Sequence, residues 1–218
     1  MGFGCSGSHD WGIKPEPIYQ NWELMMKVLL YSIVSLLLVY QSATAQNQPS
    51  AEQVLKENLA AVFAVLQKQD LSQEAKNNQI IEIVNPMFDF SLMAKLTLGK
   101  KYWPGLTPEQ KENFTRLFIK RLRTSYLDRL TLYTDEKVIY EPSMEVQNKI
   151  HIPTYLVSKD RKISMLYKLY SSESNWKIYD LEIQGVSIIR SYRSQFHEIL
   201  ESHTFDDLLT KLEQPVKD

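Results

Sequence analysis

Cysteine and glycine are scarce in this sequence, and their scarcity excludes several kinds of chemistry. Cys5 is the only cysteine of the 218 residues, so no disulfide can form within the chain and no thiolate can act beyond that position. Three glycines follow residue 45, and none belongs to a Gly-x-Gly-x-x-Gly or Gly-Lys-Ser/Thr loop that would cradle a phosphate. A Gly-x-Ser-x-Gly nucleophile elbow is also missing. The residues after position 45 therefore predict neither a nucleotide-binding domain nor a hydrolase of that type.

An excess of charge of one sign is also lacking, and so is a histidine motif for metal. Lys and Arg number 25 against 26 Asp and Glu, a formal net charge of −1. Proteins that bind nucleic acid usually carry a basic stripe, so nucleic acid is not expected as a partner. His197-Glu198 begins a zinc-protease-like motif, but Glu201 stands where the second histidine belongs. We predict no metal site and no catalytic residue.

The sequence contains one long apolar run, and it lies near the N-terminus. Residues 28–40, VLLYSIVSLLLVY, carry no charge, but these 13 residues fall short of the about 18 that span a bilayer. Lys27 precedes the run, and Ala43-Thr44-Ala45 after it is the small-x-small pattern that signal peptidase recognises. The pattern favours a cleaved signal peptide, and the alternative is an N-terminal membrane anchor.

These features divide the chain into three segments. Residues 26–45 are predicted to be the signal peptide, and residues 1–25 an upstream extension that results from a misassigned start. Residues 46–218 would then form a single mature domain in the periplasm, with acidic and basic residues in equal number. A neutral protein of this kind is not held on anionic membranes by its overall charge.

Helical patterns fill the first half of the predicted mature domain. Ser50 is a cap for a first helix, and residues 73–84 and 88–98 predict two more. Thr107-Pro108-Glu109-Gln110 is a capping box that opens a long helix. That helix has a basic face, which we interpret as solvated; the alternative is a docking face for an acidic partner or lipid headgroups. Its members are Lys111, Arg116, Lys120, Arg121, Arg123 and Arg129.

The second half predicts strands and two closing helices. Strands are expected at 137–141, 149–158, 162–171 and 176–183, joined by short polar connections that favour antiparallel hairpins. Helices follow at about 186–201 and 205–212. The order predicts an α+β fold in which N-terminal and C-terminal helices pack on a four-stranded antiparallel sheet. Apolar residues alternate along the last two strands, but a solid core and a ligand cavity are lined by the same residue types.

Two long segments carry a resemblance to a known family. They are Phe88–Tyr126, FDFSLMAKLTLGKKYWPGLTPEQKENFTRLFIKRLRTSY, and Trp176–Phe196, WKIYDLEIQGVSIIRSYRSQF. Over residues 51–213 the chain resembles the MlaC family, periplasmic phospholipid-binding proteins of a lipid-asymmetry pathway that are also called toluene-tolerance or auxiliary ABC-transport proteins.

The resemblance implies a carrier and not an enzyme. It implies a strongly curved sheet that encloses an apolar cavity for the acyl chains, with the headgroup outward. It implies that a monomer shuttles phospholipid between an outer-membrane lipoprotein–porin complex and an inner-membrane ABC transporter with an MCE-domain ring, maintaining outer-membrane lipid asymmetry. The phospholipid would be cargo, and no cofactor is implied.

Apolar periodicity on the elements that this family packs around lipid selects a set of site residues. Arg190 and Arg193, three apart on the predicted helix after Gly185, are expected at the cavity mouth, where guanidinium groups could meet a lipid phosphate. The cavity wall is expected to include Met93, Leu96, Phe114, Phe118, Ile152, Met165, Tyr167, Leu169, Tyr179, Leu181, Val186 and Ile189.

Two other functions remain open at this point. One is a secreted enzyme on a similar cone-shaped fold, of the ketosteroid-isomerase type, which would need a carboxylate with a raised pKa in the cavity; Asp180 is the best candidate. The other is an adaptor domain with a solid core and no lipid.

Overall fold

The computed structural model describes Met1 and residues 49–130, 137–158, 161–172 and 175–215. The predicted signal peptide, and the predicted extension apart from Met1, lie outside these ranges and stay predictions. Among the described residues, no helix is both long enough and apolar enough to cross a membrane.

Four helices precede the sheet, and their first residues follow capping side chains. Ser50 Oγ accepts from the backbone N–H of Gln53, and Asp89 Oδ1 accepts from that of Leu92. Gly99 has a φ of 66° and a ψ of −169°, an extended conformation with positive φ that favours glycine, and it interrupts α3 before a further helical turn. The helices are α1 (Ala51–Leu66), α2 (Gln73–Val84), α3 (Phe90–Tyr102) and α4 (Pro108–Leu130), with a 3-10 turn at Trp103–Gly105 between the last two.

The capping box predicted for the long helix is present. Thr107 Oγ1 accepts from the backbone N–H of Gln110 at 3.2 Å, and Gln110 Oε1 accepts from that of Thr107 at 2.9 Å. One residue of its basic face has a structural role, because Arg121 Nη2 donates to the backbone oxygens of Lys211, Leu212 and Gln214.

The sheet has six strands where the sequence predicts four. The strands are β1 (Lys137–Tyr140), β2 (Met144–Val146), β3 (Lys149–Val157), β4 (Lys162–Ser172), β5 (Asn175–Ile183) and β6 (Val186–Ser187). β2 and β6 have three and two residues, too few for an alternating pattern to be recognised in sequence. All pairings between strands are antiparallel, in the order β1-β3-β4-β5-β6, with β2 pairing the other half of β3. The sheet is curved and does not close into a barrel.

A β-bulge interrupts the alternation of β5. Leu169 pairs with Ile178 and Lys168 pairs with Asp180, so Tyr179 has no partner opposite it. The extra residue puts Ile178 and Leu181 on the same face of the sheet, although three positions separate them. Strict alternation, which the sequence predicts, would have put them on opposite faces.

Two helices close the fold and complete the main apolar core. They are α5 (Ile188–Ser202), capped by Ser187, and α6 (Phe205–Glu213), capped by Thr204. The main core unites α3, α4, α5 and the inner face of the sheet around Phe114, Phe118 and Phe196. A second cluster lies between α1 and α2 and consists of Val62, Val65, Leu66 and Ile80. The fold class, α+β with helices on an antiparallel sheet, is confirmed.

Candidate functional site

An apolar cavity of about 360 Å³ separates the ends of α1 and α2 from the sheet. This volume lies within the range of roughly 300–1,000 Å³ that is common for small-molecule sites. Its strand side, together with α5, is lined by Val138, Thr154, Leu156, Ile163, Met165, Tyr167, Leu181, Ile183 and Ile188. Its helix side is lined by Leu59, Val62, Phe63, Leu66, Ile81, Val84, Asn85, Met87, Phe88, Phe90, Met93, Leu122, Arg123 and Tyr126.

Away from Asn85, Arg123 and Tyr126, the wall offers almost no polar group to an occupant. Thr154 is buried, and the hydroxyl of Tyr167 lies 3.7 Å from Met165 Sδ. Burial raises the pKa of the Tyr167 phenol far above its usual value, so this group stays neutral in the cavity. A wall of this composition suits alkyl chains and not a polar substrate.

Four of the predicted wall residues line this cavity. Met93 reaches it from α3, Met165 and Tyr167 from β4, and Leu181 from β5. The cross-strand pair Tyr167 and Leu181 brings two of them together on the inner face. That these side chains contact lipid stays a prediction.

Six other predicted wall residues pack in or against the main core instead. Phe114 and Phe118 are completely buried and stack with ring centroids 6.1 Å apart, in an aromatic cluster with Tyr192 and Phe196. Apolar periodicity cannot distinguish such a position from a cavity wall, because both are buried. The remaining four are Leu96, Ile152, Leu169 and Ile189.

The last two predicted wall residues lie outside the apolar interior. Tyr179 is the bulged residue of β5, and its hydroxyl lies 3.2 Å from His151 Nε2 on the outer face. Val186 is 59% exposed, because β6 turns at the sheet edge before α5 begins. The sequence predicts that both residues lie on the cavity wall. The bulge in β5 instead puts Tyr179 on the outer face of the sheet, and the position of β6 at the sheet edge exposes Val186.

Arg190 and Arg193 do not line the apolar cavity either. Arg193 donates from Nε and Nη2 to the backbone oxygen of Leu96, at 2.8 and 2.6 Å, and so caps the regular part of α3. Arg190 Nη2 lies 3.1 Å from Glu182 Oε1, with its side chain 68% exposed. Both arginines border a shallow polar depression on α5, so a role for them in binding a headgroup stays a prediction.

Most of the residues that line the cavity are missing from the predicted wall, and two of them, Asn85 and Arg123, are polar. The sequence identifies Arg123 only as a member of the basic face of the long helix. Both line the cavity, and Arg123 Nη2 donates to Asn85 Oδ1 at 2.9 Å. Asn85 ends α2 and is exposed, while Arg123 belongs to the basic face of α4 and is half-buried. Only the packing of α4 against the end of α2 brings them together, and no local pattern indicates it.

Asp180 is buried but does not line the cavity. Its carboxylate accepts hydrogen bonds from Ser187 Oγ at 2.8 Å, from the backbone N–H of Ile189 at 3.2 Å and from Lys168 Nζ at 3.0 Å. These contacts join β5 to the start of α5. The carboxylate that an isomerase mechanism would place in the cavity is therefore used to hold the fold together. The described ranges also contain no cluster of His, Cys, Asp and Glu that could hold a metal ion.

Comparison with known proteins finds relatives in bacteria, two of which are curated transport or tolerance proteins. The intermembrane phospholipid transport system binding protein MlaC of Haemophilus influenzae is 23% identical over 196 residues, which cover 85% of this chain and 90% of the relative. Toluene tolerance protein ttg2D of Pseudomonas putida is 22% identical over 126 residues, covering 57% of this chain and 59% of the relative.

A solved structure is similar in fold. It is the phospholipid-binding protein from Ralstonia solanacearum in complex with a phospholipid, with a TM-score of 0.68 and 21% identity over 76% of this chain and 96% of that protein. A family model described as MlaC protein matches residues 56–214, nearly all of the described fold. The resemblance predicted from the two long segments is confirmed, and the chain belongs to the MlaC family.

Proposed function

We propose that this protein is a periplasmic phospholipid carrier that holds acyl chains in the cavity between α1, α2 and the sheet. The cavity carries the proposal, because its wall is apolar and a polar pair, Asn85 and Arg123, lies on its solvent side. The names of the relatives and the phospholipid held by the structural neighbour support it.

The energetics of such a carrier explain why it needs a cavity and no catalytic group. Two tails of ~16 carbons contain roughly 30 methylenes, and burying each contributes about 0.8 kcal/mol, a gross total of the order of 20–25 kcal/mol. A lipid does not cross water against that free energy unless the carrier offers a comparable environment. Release then requires a partner that binds the open form of the carrier better than the closed form.

The proposal includes a route and a compartment. Residues 26–45 would direct export and be cleaved after Ala45, and the mature protein would exchange lipid with an outer-membrane lipoprotein–porin complex and an inner-membrane MCE-domain ABC transporter. The periplasmic route agrees with the intermembrane transport in the name of the Haemophilus relative. N-terminal sequencing of the exported protein tests cleavage: a chain that begins at Gln46 is expected, and residues 1–45 retained in a membrane pellet would contradict it.

Native mass spectrometry of protein purified from cells tests the carrier itself. We expect a mass increment equal to one or more phospholipids, which dissociates as intact lipid and contains phosphorus in stoichiometric amount. Protein that is empty after gentle purification, and that takes up no phospholipid from labelled vesicles, would refute the carrier and favour an adaptor domain.

A further inference from the structure

Arg123 is the only charged side chain among the described residues that line the cavity. It lies on α4 next to Leu122 and three residues before Tyr126, both of which also face the cavity. Its partner Asn85 is the only exposed residue of that lining, so the pair marks the place where the apolar wall meets solvent. A lipid whose tails fill the cavity has to bring its polar end to such a place.

Among the side chains that the structure describes, Arg123 has no carboxylate partner. No Asp or Glu oxygen of that set lies within 4.0 Å of its guanidinium, and Asn85 Oδ1 is its hydrogen-bond acceptor. A guanidinium has five N–H donors, so several remain for an anion. Arg116 provides a contrast on the same helix, because its Nη2 donates to Asn113 Oδ1 at 2.7 Å but neither residue lines the cavity.

We propose that Arg123, oriented by Asn85, binds the phosphate of the phospholipid whose acyl chains occupy the cavity. This inference rests on the proposed function. A guanidinium at the edge of an apolar surface can form two parallel hydrogen bonds to phosphate oxygens, and the low local dielectric strengthens them. Lysine would keep the charge but lose the planar, paired geometry.

The test compares two lipids with the same tails in the exported, mature protein. Phosphatidylcholine carries the phosphate, and the matching diacylglycerol does not. Uptake of each from vesicles is measured by native mass spectrometry for wild type, Arg123→Ala, Arg123→Lys and the matched control Arg116→Ala, with the melting temperature as a check of folding. Asn85→Asp, nearly isosteric, is a further variant that supplies Arg123 with a competing carboxylate.

We expect Arg123→Ala to weaken phosphatidylcholine binding about tenfold, the factor that corresponds to 1.4 kcal/mol, and to leave diacylglycerol binding unchanged. Arg123→Lys and Asn85→Asp should each weaken phosphatidylcholine binding by less than tenfold, and Arg116→Ala should leave it unchanged. Equal losses for both lipids, or no loss for either, would overturn the inference and leave the carrier function intact. Wild-type protein that binds neither lipid would instead refute the proposed function, and the inference with it.

A last experiment distinguishes binding of the lipid phosphate from binding of free inorganic phosphate. Inorganic phosphate alone is expected to leave the melting temperature of both wild type and Arg123→Ala unchanged, because no buried tails accompany it. A stabilisation by inorganic phosphate that disappears in Arg123→Ala would assign the site to free phosphate and overturn the assignment to lipid.

Discussion

Lys168 Nζ lies 3.0 Å from Asp180 Oδ2, directly across β4 and β5 on the face of the sheet opposite the cavity. Because the same carboxylate accepts from Ser187 Oγ and from the backbone N–H of Ile189, one side chain joins two strands to the start of α5. The ion pair is largely buried, with 15% and 7% of the two side chains exposed. Without Asp180, Lys168 keeps Glu182 Oε1 as a carboxylate partner, but Ser187 Oγ and the backbone N–H of Ile189 lose their acceptor.

We predict that Asp180→Ala lowers the free energy of unfolding by about 2–3 kcal/mol, since two buried donors at the start of α5 lose their acceptor while Lys168 stays paired with Glu182. Asp180→Asn should lower the free energy of unfolding by less, because the amide oxygen of the asparagine still accepts hydrogen bonds. Urea unfolding measures both. Unchanged stability in Asp180→Ala would contradict the structural role.

Stability should fall as the pH drops below about 6.5. Desolvation lowers the pKa of His151, and the positive charge of Lys168 lowers it further, while Glu182 opposes the shift. The folded state therefore binds its proton at lower pH than the unfolded chain does, so unfolding takes up a proton between the two pKa values and is favoured by acid there. His151→Gln should reduce the slope of stability against pH in this window, as measured by urea unfolding from pH 7 to 5. An unchanged slope would refute the assignment to His151.

Two tryptophan substitutions on β4 distinguish the cavity from the core. Met165 lines the cavity, whereas Leu169, four residues later on the same face, is buried in the main core. Met165→Trp should reduce bound phospholipid phosphorus severalfold at a small cost in stability, because the ring fills existing space. Leu169→Trp should lower the free energy of unfolding by roughly 1–3 kcal/mol because it overpacks the core. The folded fraction of this variant should still contain phospholipid. Equal effects of the two variants would contradict the boundary between cavity and core.

Arg193→Ala should destabilise the fold and retain phospholipid. Its two hydrogen bonds to the Leu96 oxygen join α5 to the end of regular α3, and their loss should cost about 1–2 kcal/mol. Arg190→Ala is the matched control. Among the described residues this exposed side chain pairs with Glu182 alone, and its removal should lower the free energy of unfolding by less than about 1 kcal/mol. Loss of lipid phosphorus in Arg193→Ala at an unchanged melting temperature would instead favour the headgroup role that its spacing predicts.

The sequence predicts the elements that have strong local signals. The capping box at Thr107 arises from interactions within a few residues, and it is present in the structure. The cap of α5 is equally local, because Ser187 Oγ accepts from the backbone N–H of Arg190 at 3.1 Å. Such features can be read from sequence because their partners are neighbours in the chain.

The candidate site depends on relations that no local pattern contains. Because of the bulge at Tyr179, the residues in the first half of β5 point to the opposite faces from those that strict alternation predicts. The bulge can be recognised only from the pairing of β5 with β4. Arg123 meets Asn85 across 38 positions of sequence. Likewise, whether a buried apolar residue borders empty space or another side chain depends on the packing of several helices. Residue type therefore predicts burial, and packing decides which buried residues form the wall.

Helix α1 belongs to two apolar clusters at once. Ala51 and Leu55 are part of the main core, while Val62, Val65 and Leu66 join Ile80 between α1 and α2. Only four buried residues form the second cluster, far fewer than the main core contains, and Ile83 and Val84 pack against both. The α1–α2 hairpin is therefore expected to open locally before the rest of the fold does. Amide hydrogens of β3 to β5 should then exchange with solvent only on global unfolding, and those of α2 at a lower free energy.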